Sequence, residues 1–203
     1  MDNKAYLEQI ATKERVKRGP ILSPMLIKLI AAGLIALITL IIVGGVINGS
    51  NEKVTQSYES VYVRIANLSD TQSPLRKNLN RVKDSDLRSY TSTFLSTLNS
   101  TFVTLKGIAS NIGIKADKIS KAVQKQESSN LSSLTSQLDD ALLTGTYDRT
   151  LGSVVYYQIT MLLNFEDAAR SKTNNAQFAD LLDKSMADLK ILQDNFKKWN
   201  DTN

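Results

Sequence analysis

The chain has 203 residues, 25 Lys and Arg against 20 Asp and Glu, a formal charge of +5, and neither His nor Cys. Without thiols or imidazoles it has no disulfide staples, no zinc site of the usual kind, no lipid-modified N-terminal Cys, and no Ser–His–Asp or Cys–His catalysis. The basic excess is concentrated at the front: residues 1–28 hold six basic side chains against three acidic ones. The rest is nearly balanced, so a mixed solvated surface is expected and a nucleic-acid partner is not.

Residues 1–23 form a basic head, with Lys13, Arg15, Lys17 and Arg18 grouped near its end. Two readings stay open for it. One is a short amphipathic segment on anionic lipid, through Ala5, Tyr6, Ile10 and Val16. The other is a solvated tail that only sets topology. Gly19-Pro20 and Ser23-Pro24 separate the head from the apolar segment after it.

Residues 24–48 are expected to cross a membrane as one helix. Within them Leu29–Ile47 reads LIAAGLIALITLIIVGGVI, 19 residues without a charged side chain. At about 1.5 Å per residue that covers roughly 28 Å, the thickness of a bilayer's hydrocarbon core. The Lys/Arg excess ahead of the run places the N-terminus in the cytoplasm and the tail outside. A cleaved signal peptide would have a shorter apolar core and a small-residue cut site. Gly44 to Ser50 offers no Ala-x-Ala, so an uncleaved anchor in the cell membrane is expected. Ala32, Ala36 and Gly44, with Gly45 and Gly49, have the small-residue spacing that lets two spanning helices approach, a spacing also common by chance.

Residues 49–72 carry Val54, Tyr58, Val61 and Ile65 at helical spacing. This membrane-proximal helix either stands as a stalk or joins the bundle expected over 73–203. A break falls at Ser69–Pro74, followed by a short lead-in, Leu75–Val82. Asp84-Ser85 then caps a helix with Leu87, Tyr90, Phe94, Leu98, Phe102, Leu105, Ile108 and Ile112 on one stripe, ending near Gly113. Lys115–Lys125 is helical in pattern, whereas Gln126–Asn130 is polar enough to kink or fray. Leu131, Leu134, Leu138 and Leu142 continue to Gly145. The next stripe is Leu151, Val155, Leu162, Phe165 and Ala169. The last is Phe178, Leu182, Leu189, Leu192, Phe196 and Trp199, capped by Asn174 or Asn175, with Ser185 in the place an apolar residue would fill. Turns are expected at 113–116, 145–147 and 171–175. Each stripe needs a neighbour to cover it. The fold class expected is therefore all-α: one N-terminal transmembrane helix, then an antiparallel up-down bundle of four main helices plus the membrane-proximal one.

Few residues suggest chemistry. A di-iron bundle site would need Glu-x-x-His pairs, which a chain without His cannot supply. Glu166 lies beside the Phe165/Ala169 face, and a boundary position with its carboxylate in water is expected. Asp139-Asp140 and Asp180/Asp183 lack the convergent geometry of an acid–base pair or a calcium loop. Asn48, Asn67, Asn99, Asn130 and Asn200 open N-x-[ST] triplets, which matter only where a host glycosylates. Tyr156-Tyr157 and Trp199 are expected to serve packing. No catalytic, cofactor-binding or metal-binding residue is assigned, and no cofactor is expected.

Two resemblances rest on these residues. The basic head, the run through Gly44-Gly45-Val46, and the helix over 51–68 resemble the front half of four-helix-bundle bacterial sensor ectodomains. Such sensors return through a second span; no second run of this kind occurs here, so signalling by that route is not expected. Glu166-Asp167-Ala168-Ala169, Gln177-Phe178-Ala179-Asp180 and Asp188-Leu189 are similar in rhythm to ferritin-like helical domains of uncharacterised bacterial envelope proteins. Those often carry His where this chain has Leu189, so metal chemistry does not transfer. The sequence leads to the expectation of a non-enzymatic, membrane-anchored envelope protein. Its partners would be the lipid bilayer and either an envelope protein or a second copy. The alternative is a small-ligand sensor-like ectodomain acting through a partner.

Overall fold

The computed structural model describes residues 50–203, with side chains from Val54 onward. The head, the run Leu29–Ile47 and its small-residue spacing lie outside the described residues. Among the described residues no helix is long and apolar enough to cross a membrane, and no strand occurs.

Among the described residues six helices occur in chain order: α1 Ser50–Ser69, α2 Pro74–Lys77, α3 Ser85–Ile108, α4 Lys121–Thr144, α5 Tyr147–Arg170 and α6 Ala176–Thr202. Single 3-10 turns occupy Leu79–Arg81, Ala109–Ile112 and Ala116–Lys118. The boundaries have local causes. Asp84 caps α3 by accepting the Leu87 N–H at 2.7 Å, and Asn175 caps α6 by accepting that of Phe178 at 2.9 Å. Gly113 and Gly145 adopt φ values of 81° and 72°. At each, the next residue's N–H reaches back five positions, Ile114 to Ala109 at 2.9 Å and Thr146 to Ala141 at 3.0 Å. This is the left-handed helix stop that glycine permits.

Helices α1, α3, α6 and α5 close a four-membered ring, and α4 lies outside it against α1 and α5. Two contacts fix the directions. Lys172, just past α5, donates to Ser57 near the start of α1 at 2.6 Å. Trp199 near the end of α6 donates to Asp84 at the start of α3 at 3.0 Å. Ring neighbours are thus antiparallel, while α4 runs parallel to α1. Val61, Ile65, Phe94, Leu98, Phe178 and Phe196 are fully buried between them. Of the two roles open for residues 49–72, α1 takes that of a bundle helix: Tyr58 meets Phe178 edge-on at 5.0 Å, and Tyr62 tilts against Phe102 at 5.5 Å. The described residues form one compact unit.

Sequence expectations ahead of and within α4 need correction: the helical pattern over Lys115–Lys125 gives a 3-10 turn at Ala116–Lys118, and α4 begins only at Lys121, behind Ser120, which accepts the Val123 N–H. Gln126–Asn130 neither kinks nor frays; α4 is continuous through it. Glu127 is buried there and bound to Arg64 of α1, so a polar residue fixes the helix instead of loosening it.

The α5–α6 contact is tight at Gly152. A Cβ placed there would meet the Trp199 ring and lie 2.7 Å from Asn200 Oδ1. Asn200 also donates to the Gly152 carbonyl at 3.3 Å, and Asp148 accepts the N–H groups of Lys83 and Asp84 at 3.0 and 2.9 Å. One methyl at this seam must displace the Trp199 ring or Asn200. Gly152→Ala is expected to destabilise the fold by about 1–3 kcal/mol, as overpacking does elsewhere. Urea unfolding checks it, and an unchanged midpoint would contradict the close approach.

Candidate functional site

Between α3 and α6 the bundle leaves a groove of about 460 Å³. One wall is a row of hydroxyls: Ser96, Thr97, Ser100, Thr101 and Thr104. Short side chains on α3 leave the space between the two helices unfilled. The opposite wall presents Asp180, Lys184 and Asp188, one helical turn apart on α6. Ser185 belongs to this wall too, yet it is 3 % exposed and points into the protein.

Ser185 leads to a buried acid. Its hydroxyl donates to Glu166 Oε1 at 2.8 Å, and Glu166, from α5, is fully buried. Its second oxygen, Oε2, is buried without a hydrogen-bond partner. Burial pushes the Glu166 carboxyl up to about 8, and the Ser185 bond offsets only part of that. The expectation of a boundary carboxylate in water is therefore overturned. Glu166 occupies a core position between Leu162 and Ala169 of its own stripe, and the Ser185 gap in the α6 seam is its complement.

A second buried polar cluster joins α1, α4 and α5. Arg64 Nη2 donates to Glu127 Oε1 at 2.9 Å, and its Nε lies 2.8 Å from Oε2, angled too far for a hydrogen bond. Arg64 Nη1 donates to Gln158 Oε1 at 2.6 Å, and the guanidinium carbon sits 5.5 Å from the centre of the Phe165 ring. Asn130 adds a long contact to Glu127 Oε1 at 3.4 Å. Burial pushes the Glu127 carboxyl above the usual range, and Arg64 pulls it back only in part. Buried, paired polar groups of this kind fix geometry rather than perform chemistry.

The remaining residues singled out in the sequence stay apart. Asp139 and Asp140 are exposed on α4. Asp183 pairs with Arg170 at 2.9 Å in solvent, whereas Asp180 faces the groove. Tyr156 and Tyr157 are half-buried, and Trp199 is both a core residue and a donor to Asp84. Among the triplet asparagines, Asn130 and Asn200 are engaged in the bonds above, Asn99 is exposed, Asn67 is half-buried, and Asn48 lies outside the described residues. Among the described residues no group of three or more His, Cys, Asp or Glu side chains is placed to hold a metal ion. Compared with known protein families, curated proteins and solved structures, the chain matches none of them.

Glu166 gives the bundle a pH dependence of defined sign. Its folded value of about 8 exceeds the ordinary 4.5. Between those values the folded state holds a proton that the unfolded state releases, so stability falls as pH rises across the window. The full shift corresponds to roughly 5 kcal/mol. Denaturant unfolding from pH 5 to pH 9 is expected to show this decline, and Glu166→Gln to flatten most of it and to be the more stable form at pH 8. Parallel profiles for the two proteins would contradict the buried acid.

Proposed function

We propose that the chain is a single-pass, membrane-anchored protein of a bacterial cell envelope, with its N-terminus in the cytoplasm and a non-enzymatic helical bundle outside. The bundle serves as an interaction or structural module, through an envelope partner or a second copy. The observation that carries this reading is in the sequence: the uncharged run Leu29–Ile47 follows a basic head and precedes the bundle along the chain. The basic head supports the orientation, and the absence of His and Cys supports a non-enzymatic role.

A second reading is favoured by the α3–α6 groove. Its size falls within the about 300–1,000 Å³ typical of small-molecule sites. Its polar walls suit a soluble ligand sensed by the bundle and reported through a partner.

Membrane fractionation separates the anchored reading from a soluble one. The full chain is expected to stay with membranes through alkaline carbonate, and protease added to spheroplasts is expected to digest the region after Ser50 while sparing the head. Release by carbonate, or a C-terminal region that resists protease until the membrane is broken, would contradict anchoring or orientation respectively. Cross-linking in intact cells would then show whether the bundle meets a distinct partner or itself.

A further inference from the structure

We infer that the lysines between the end of α3 and the first turns of α4 form a docking surface for anionic phospholipid headgroups. It is a second membrane contact besides the proposed anchor, and the choice of lipid as partner rests on the anchored reading.

The charge of the bundle is uneven from end to end. Residues 106–125 carry Lys106, Lys115, Lys118, Lys121 and Lys125 against one acid, Asp117. All six residues are exposed, and none of the five ammonium groups joins an ion pair among the described residues. The α5–α6 turn at the same end does not offset them, since Asp167 there is accompanied by Arg170 and Lys172. The opposite end is balanced: residues 70–88, 139–149 and 194–203 hold eight basic and eight acidic side chains.

Helix stability does not account for these lysines. Lys121 is the first residue of α4, Lys118 lies just ahead of it, and the first turn holds no acid. Cations at a helix N-terminus stand against the macrodipole. Charges set against their own helix are ones that a negatively charged surface stabilises.

Position selects lipid among anions. Lys106 is one turn beyond Phe102, which packs on Tyr62, and the Ser120 N–H donates to Glu59 at 3.1 Å. Both ends of the connection are thus held on α1, and α3 runs from Phe102 toward the end where α1 begins. That is the end at which the chain enters the bundle, and in the sequence the uncharged run Leu29–Ile47 precedes it. Ile114 and Ile119 of the connection are buried in the bundle, so they are not available to insert into a bilayer. The contact is electrostatic, and each lysine near an anionic surface favours it by about fivefold.

The chain has no Cys, so a single introduced thiol reports on one place. Ala116→Cys, within the connection, and Asn80→Cys, at the opposite end, are both exposed sites for a fluorophore. Each is placed on the full chain in nanodiscs whose phosphatidylcholine carries a headgroup nitroxide as quencher. Including phosphatidylglycerol is expected to strengthen quenching at Ala116→Cys by about threefold or more, and to leave Asn80→Cys unchanged. The gain is expected to vanish when Lys115→Gln, Lys118→Gln, Lys121→Gln and Lys125→Gln are combined. It is also expected to fade between about 0.1 M and 1 M salt, as the screening length drops from about 10 Å to 3 Å. No gain with phosphatidylglycerol, a gain that the combined variant keeps, or an equal gain at both probes would overturn the proposal. A response at Ala116→Cys to dissolved heparin, with none to phosphatidylglycerol, would assign the lysines to a soluble polyanion and overturn the lipid assignment. A chain that does not stay with the discs would contradict anchoring alone. The docking surface is then read from sedimentation of the same chain with preformed vesicles. It predicts binding to phosphatidylglycerol vesicles, lost in the combined variant, and none to phosphatidylcholine; equal binding to both, or none to either, would overturn it.

Discussion

A guanidinium cannot enter a helix core unless something of opposite charge meets it, and Arg64 is the residue that imposes this on the bundle. It sits on α1 between Val61 and Leu68, on the stripe that faces inward, and is 3 % exposed. Glu127 of α4 and Gln158 of α5 answer it from two sides. The ion pair gives α4 a unique height and rotation against α1 and α5, a task that a short row of leucines performs poorly. Buried pairs contribute little net stability against apolar replacements, and their value lies in excluding other registers.

The bundle uses a second buried polar contact in a different way. Glu166 and Ser185 join the α5–α6 seam, yet no cation among the described residues compensates the acid, so burial keeps it protonated near neutral pH. Ser185 also forms part of the α3–α6 groove wall. The core and the groove therefore share a side chain. Rigidity at the far end of the bundle has another source: Trp199 lies over Gly152 and bonds Asp84, which also caps α3, so three helix ends are tied by one indole and one carboxylate.

Much of this is readable along the chain. Asp84 and Asn175 as caps, Gly113 and Gly145 as stops, and the stripes of α3, α5 and α6 come from turn chemistry and a period of 3.6, because these signals are local. Partners in space are not local. Arg64 and Glu127 are 63 residues apart and Arg64 and Gln158 are 94 apart. Each looks like a surface residue when its own helix is read alone. The signal that marks them is their register: Arg64, Glu127, Gln158, Glu166 and Ser185 all stand where their stripes call for an apolar side chain. The Ser185 gap is visible in the seam, but its meaning requires knowing that Glu166 lies opposite. The same one-helix view makes Gln126–Asn130 look like a weak point and Glu166 like a boundary residue.

A double-mutant cycle on Arg64 and Glu127 tests most directly that one buried ion pair sets the bundle's register. Arg64→Met and Glu127→Leu are each expected to cost about 3–5 kcal/mol in denaturant unfolding, since each leaves a charge buried alone. The double variant is expected to cost much less than their sum, a coupling of roughly 2–3 kcal/mol or more. Losses that simply add would mean that the two side chains stand independently, and that apolar contacts alone hold α4 in place.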